Sequence, residues 1–307
     1  MKTLKRRFGF YEWASKYPLI ISLTFQFNPY KEFKKIKAIS GYFEYYYKFS
    51  DPILLVPNVK PIRIDRETRR KEKIIDLDGY KKFVDEVFQL LNYRNKKPIF
   101  VPVSLKFGIN DIKSLANHYL KKEYFNIWFD FEGSAITKTK IARIRAFFRE
   151  FDENDRLEDI VVYTTNIKRE IISNIKREKS PASDVLASLI GSNLIGTNRE
   201  PQRPTGPPLS AEELERLKKH KARLFDPKSY YYYRIDVMKV QEPQILMKKE
   251  YNAIVNSILL DNEFISQNNH FLENMTVKDY VVEKEMIKEY KNGELLKDLF
   301  VKNLLKF

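Results

Sequence analysis

Two carboxylates and an indole fall on alternate positions of Asn126–Glu132 (NIWFDFE). Successive side chains of an extended strand point to opposite faces, so Trp128, Asp130 and Glu132 are expected on one face, with Ile127, Phe129 and Phe131 on the other. Such a pair can hydrogen-bond a heterocyclic base, coordinate a hard cation, or divide acid and base roles if its surroundings separate the two pKa values. Asp130 and Glu132 are therefore the candidate catalytic residues, and Trp128 is a candidate substrate contact. The same pattern also fits a buried acid that pairs with a lysine or caps a helix after Gly133-Ser134. Thr164, Thr165 and Asn166 end the next apolar run with hydroxyl and amide groups, although Asn166 is equally a helix N-cap type and the cap is the favoured reading. Ser188 and Asn193 lie beside Gly191 and Gly196 in ASLIGSNLIG, where glycines allow either close backbone approach or a turn.

Other chemistries lack their residues. The chain has no cysteine, which removes disulfides, thiolate zinc sites, iron–sulfur clusters and a cysteine nucleophile. Its three histidines, His118, His220 and His270, have no ligand spacing. No P-loop, zinc-protease helix, serine elbow or EF-hand loop is present. No metal or cofactor site is expected. A magnesium-dependent phosphate enzyme built on Asp130 and Glu132 lacks a further acidic ligand at any recognisable strand end.

The elements that must position these residues alternate. Leu19–Phe27, Tyr42–Phe49, Ile53–Val56, Pro98–Leu105, Asn126–Glu132, Asp159–Thr165 and Ser183–Ile190 read as strands, and Tyr230–Val240 as a later one. Helical patterns fall around Gly79–Leu91, over Ile109–Lys121 and over Thr137–Phe151, and another begins near Ile167. Strand–helix alternation predicts βαβ units on a parallel sheet, and the absence of a Gly-rich phosphate loop favours a TIM-type (β/α)-barrel over an open dinucleotide fold. Gly196–Ser210 holds four of the fourteen prolines, and Ser210 to Glu213 then has the form of a capping box. This divides the chain into a βα-repeat region over 1–205 and a remainder over 206–307. The remainder holds the last barrel elements and a C-terminal helical appendage that ends in Glu294–Phe307.

Charge follows the same division. Of 307 residues, 56 are Lys or Arg and 41 Asp or Glu, a net +15. Residues 211–307 carry 17 basic against 16 acidic side chains, which leaves 39 against 25 on residues 1–210. An excess of this kind points to a polyanionic partner, nucleic acid and above all structured RNA. The plainer reading is a thermophile's ion-pair-rich surface, of archaeal type. Arg63, Arg66, Arg69, Arg70 and Lys71, in a segment that reads as an exposed loop, together with Arg199 and Arg203, are the candidate polyanion contacts. Further basic residues ride on the polar side of Thr137–Phe151. The tyrosine runs Tyr45–Tyr47 and Tyr230–Tyr233 offer aromatic faces for unpaired bases. No stretch reaches the roughly 20 apolar residues of a spanning helix and no signal peptide opens the chain, so a cytoplasmic protein with no membrane partner is expected.

FDFEG at Phe129–Gly133 and GSNLIGTNREPQRPTG at Gly191–Gly206 resemble two motifs of the tRNA-guanine transglycosylases, barrel enzymes that exchange a guanine of tRNA for a deazaguanine base. The resemblance implies a barrel in which Asp130 recognises the base, while Thr197-Asn-Arg199 and Arg203 belong to a basic loop. Asn193 stands where that family's second motif begins its acidic pair, Gly196 stands where its nucleophilic Asp would be, and its zinc cluster has no counterpart. What is implied is a relative that kept the shape and lost or relocated the exchange chemistry. The alternative is a non-catalytic nucleic-acid-binding scaffold, of the kind carried by viruses or plasmids. The sequence leaves the oligomeric state open.

Overall fold

A computed structural model describes residues 53–64, 71–92, 97–168, 179–196, 211–212, 222–236, 246 and 249–289, with backbone alone for 62–64, 71–73 and 249–250. The chain divides into two compact units, Met1–Phe129 with Arg156–Ile160 and Asp130–Asp155 with Val161–Phe307.

In the first unit, β1 (Leu54–Leu55) pairs parallel with β4 (Ile99–Ser104). All six residues of β4 are buried, the continuous apolar run of a strand covered on both faces. Between them lie β2 (Ile62–Ile64) and β3 (Lys71–Lys73), an antiparallel pair in which Ile64 faces Lys71 and Arg63 faces Glu72. The expected basic loop is thus a ladder at both ends, and Arg66, Arg69 and Arg70 lie outside the described residues. Helix α1 (Leu77–Leu91) starts where the Asp76 carboxylate accepts the Gly79 N–H at 2.8 Å. Its stripe of Tyr80, Phe83, Val84, Val87 and Leu91 is buried, as is the Ile112, Leu115, Ala116 and Tyr119 face of α2 (Ile109–Lys121). Tyr80 and Tyr119 both donate to the carbonyl of Pro102, at 3.1 and 2.6 Å. Both helices lie on the stretches that periodicity predicts.

Strand β5 (Asn126–Ser134) passes from the first unit to the second at Phe129–Asp130. In the second unit it leads to α3 (Lys138–Asp152), which buries Ile141, Ile144, Phe147 and Phe151, exposes Lys138 and Arg149 and half-buries Lys140, Arg143 and Arg145, and then to β6 (Val161–Ile167). A three-residue strand, β7 (Lys179–Pro181), comes next, and β8 (Leu194–Ile195) follows, parallel to β6. The strand order is β1-β4-β5-β6-β8. The architecture is mixed α/β, with this five-stranded parallel sheet and helices.

Two expected strands differ. Ser183–Ile190 is a 3-10 helix that ends at Gly191, whose φ of 89° no side-chain-bearing residue adopts readily. A run of eight with five apolar residues and no alternation fits a buried helix as well as a buried strand. Within Tyr230–Val240, the strand is β10 (Tyr231–Ile235). It is antiparallel to β9 (Ala222–Asp226) and to β7, in a separate sheet of order β7-β10-β9. The turn from β9 to β10 is closed by Asp226, which accepts the N–H groups of Lys228 and Ser229, and by Tyr230 at φ 61°.

The long helix α4 (Lys249–Asn274) packs on β9, the edge strand of that sheet. Asn256 accepts the Phe225 N–H at 2.8 Å and donates to the Arg223 carbonyl at 2.7 Å, which imitates the next strand and closes the edge. Two short helices follow, α5 (Lys278–Val282) and α6 (Glu285–Glu289). Among the described residues, no helix is long and apolar enough to cross a membrane. Residues 1–52, the proline-rich segment and the Glu294–Phe307 helix expectation lie outside the described residues.

Candidate functional site

Parallel α/β sheets present side chains to ligands at the C-terminal ends of their strands. Asn166 stands at that end of β6, whereas Asp130 lies at the middle of β5, four residues before Ser134; both are half-buried. One carboxylate oxygen of Asp130 accepts the Asn166 side-chain N–H at 2.8 Å and the backbone N–H of Glu132 at 2.9 Å. The second bond is a two-residue side-chain turn, which only a short acid such as Asp forms easily.

The backbone around this pair is left-handed at three residues: Glu132 (φ 52°), Gly133 (φ 73°) and Asn166 (φ 56°). Non-glycine residues adopt this conformation at a cost of order 1 kcal/mol or more, and such residues gather at binding sites and switch regions. Strict alternation therefore ends at Glu132, and the expected common face of Asp130 and Glu132 is interrupted there. The positive φ of Asn166 is also not the extended conformation of an N-cap, and its amide donates to Asp130 instead. Ser134 continues the strand pairing by accepting the Lys168 N–H at 3.1 Å. Lys140, from the first turn of α3, donates to the Ala135 carbonyl at 2.7 Å and to the Ser134 hydroxyl, and its ammonium lies 5.3 Å from the Phe131 ring centre.

The remaining candidates are dispersed. Thr165 is buried, with its hydroxyl 3.5 Å from the Asn166 amide nitrogen. Asn193 pairs with the start of β6, where its side chain accepts the Val162 N–H at 2.7 Å and its own N–H donates to the Val162 carbonyl at 3.0 Å. Val162 and Asn166 are four strand residues apart, about 13 Å, so Asn193 serves the opposite end of the strand. Ser188 donates to Gln267 on α4 at 2.6 Å and to the Val185 carbonyl at 3.0 Å, a packing role. Trp128 is 3 % exposed, so its ring faces packed side chains. A side chain at Gly196 would meet the Tyr163 phenol and come within 2.8 Å of the Thr165 methyl, so that space is filled. Arg199 and Arg203 lie outside the described residues. Among the described residues, no group of three His, Asp or Glu is placed to hold a metal ion.

A second polar constellation escaped the sequence reading. Glu263 and Gln267 of α4 are buried, 3 and 4 % exposed. Glu263 accepts the Tyr230 hydroxyl at 2.5 Å and the Tyr280 hydroxyl at 3.1 Å, and lies 3.5 Å from the Lys284 ammonium. Gln267 donates to the Tyr230 oxygen at 2.8 Å. Lys284 also donates to the Pro227 carbonyl at 2.8 Å and sits between the Tyr230 and Tyr280 rings, 4.9 and 4.0 Å from their centres. Burial pushes the Lys284 amine below its ordinary range against the pull of Glu263, and burial followed by the Glu263 hydrogen bond pushes the Tyr230 phenol up. The available signal was Asn256, Glu263 and Gln267 at helical spacings of seven and four on one side of a predicted helix.

No protein-family model matches the chain, and a search of curated proteins gives no match.

Proposed function

We propose that this is a nucleic-acid-binding protein, with RNA as the best-fitting class, that reads an unpaired base at the strand ends of a barrel-like α/β frame through Asp130 and Asn166. The observation that carries this reading is the 2.8 Å Asp130–Asn166 pair, held between residues in left-handed conformation beside the first turn of α3. A carboxylate next to a carboxamide offers both acceptor and donor to a base edge. Helix α3 carries Lys138, Lys140, Arg143, Arg145 and Arg149 against Glu150 and Asp152, a local excess that draws phosphates, with Lys138 and Arg149 exposed for direct contact. Asp130 acts in recognition, since two donors already satisfy one of its oxygens.

Fluorescence anisotropy with tRNA and with an unpaired oligonucleotide tests the proposal. With about five phosphate contacts, affinity should fall roughly 100-fold between 50 and 200 mM salt. Lys138→Glu with Arg149→Glu should weaken all sequences alike, whereas Asn166→Ala should flatten base preference. Affinity indifferent to salt and to both charge reversals overturns the reading, and guanine exchange into tRNA would replace it with a catalytic one.

A further inference from the structure

Helix α4 is turned against the usual rule. Its inward face carries Asn256, Glu263 and Gln267 beside Leu260, all buried, with Val255 packed against Ala222 and Leu246, while Tyr251, Ile254, Ile258, Ile265, Leu272 and the adjoining Met275 are 44 to 67 % exposed. Amphipathic helices place apolar residues inward, so six large apolar side chains on the solvent side are a surface with a use. Their spacing names it. Tyr251, Ile258, Ile265 and Leu272 recur every seven residues, and of the positions three further on Ile254 is apolar, Asp261 and Asn268 are polar and Met275 lies just past the helix end, the period of a two-helix seam that is apolar along one of its two rows.

We infer that this stripe is the contact between two copies of the chain, paired through antiparallel α4 helices. Charge bears on the occupant. Residues 251–275 contain no Lys or Arg in a protein of net charge +15, so the stripe offers a polyanion nothing, and the exposed carboxylates Asp261 and Glu273 are the only like charges that a second copy must screen or stagger. Area agrees: six side chains of on the order of 200 Å² each, about half exposed, give about 600 Å² per copy and about 1,200 Å² for the pair, the lower bound of a specific interface. Antiparallel pairing sets Tyr251 against the partner's Met275 and Ile254 against the partner's Leu272. Parallel pairing would oppose the two Asp261 carboxylates directly.

Sedimentation equilibrium of the full chain should give twice 36.7 kDa, with association unchanged or tightened as salt rises, the reverse of nucleic-acid binding. Ile258→Glu with Ile265→Glu should weaken association roughly 100-fold or more and leave the circular dichroism spectrum of the folded chain unchanged, both residues being exposed, while the melt loses its dependence on protein concentration. The chain has no cysteine, so Tyr251→Cys and Met275→Cys are clean reporters: a mixture should cross-link the two variants to each other. A monomer at roughly 100 µM, a double variant that still dimerises, or capture of the stripe by lipid vesicles or by residues 290–307 of the same chain would overturn the proposal. Each variant linking only to itself would overturn the antiparallel pairing.

Discussion

Glu263→Ala should destabilise the fold more than any surface change on α4. The carboxylate is 3 % exposed, lies 3.5 Å from the Lys284 ammonium and accepts from two phenols. Removing one partner of a buried ion pair costs about 3–5 kcal/mol because the other charge is left uncompensated, and each phenol without its acceptor adds up to about 1–3 kcal/mol. These costs overlap, since Lys284 can shed its proton and the phenols can turn to water in the space left. We expect about 4 kcal/mol, a large share of a domain stability of about 5–15 kcal/mol. Glu263→Gln keeps an acceptor and loses the charge, for about 2 kcal/mol. Ser257→Ala, on the exposed side, should stay within about 0.5 kcal/mol. Urea unfolding followed by far-ultraviolet circular dichroism reads all three. The pH dependence supplies a second check. Without Glu263 the folded-state amine of Lys284 falls further below its unfolded value of 10.5. Between those two values the unfolded chain binds the extra proton, so the variant gains stability as pH rises towards 10.5. A loss below about 1 kcal/mol, or one that stays constant between pH 7 and 10, would refute the view that Glu263 compensates a buried cation.

Two other outcomes follow from burial and space. Tyr119 and Tyr230 are fully buried and their phenols are pushed up, chiefly by desolvation, so above pH 10 the unfolded chain ionises where the folded one does not. The stability they contribute is present below pH 10 and lost above it, by about 1.4 kcal/mol per pH unit for each phenol. Tyr280, pushed up to about 12, acts in the same direction. The share of tyrosinate absorbance that belongs to the buried phenols should therefore appear only together with loss of circular dichroism, and ionisation of all nineteen tyrosines near pH 10 in a folded protein would contradict this. Gly196→Asp should cost about 1–3 kcal/mol by overpacking against Tyr163 and Thr165, and should produce no guanine exchange. A thermal melt matching the parent, or any exchange activity, would show that the space is open.

Local periodicity was enough for α1, α2, α3 and β4, whose apolar faces are built from neighbours three, four or two residues apart. What was not legible depends on partners distant in sequence. Tyr231–Ile235 has the composition of a strand, but nothing in it says that its neighbours are Ala222–Asp226 and Lys179–Pro181 rather than the parallel sheet. Asn166 was recognisable as a strand-end group, and Asp130 as a polar residue of a strand that runs four residues further, to Ser134. Their pairing across 36 residues was not, because it depends on Asn166 entering the left-handed region instead of capping a helix.

The reversed face of α4 has a physical cause in the sheet beneath it. An edge strand exposes unpaired backbone groups, and burying those of β9 without partners would cost about 1–3 kcal/mol each. Asn256 meets that need at Phe225 and Arg223, Asn252 adds a bond to the Arg223 carbonyl at 3.0 Å, and Glu263 and Gln267 meet the hydroxyl of Tyr230. A helix whose inner face gives three positions to polar closure buries few apolar residues there, Leu260 and part of Val255, and on its outer face Tyr251, Ile258, Ile265 and Leu272 keep a seven-residue period that closing the edge does not require. That period sits in a stretch without a basic residue, in the same unit as the cationic helix α3. The second unit thus carries two surfaces whose associations should respond to salt in opposite directions, so a single salt titration of mass and of nucleic-acid affinity separates the two proposals.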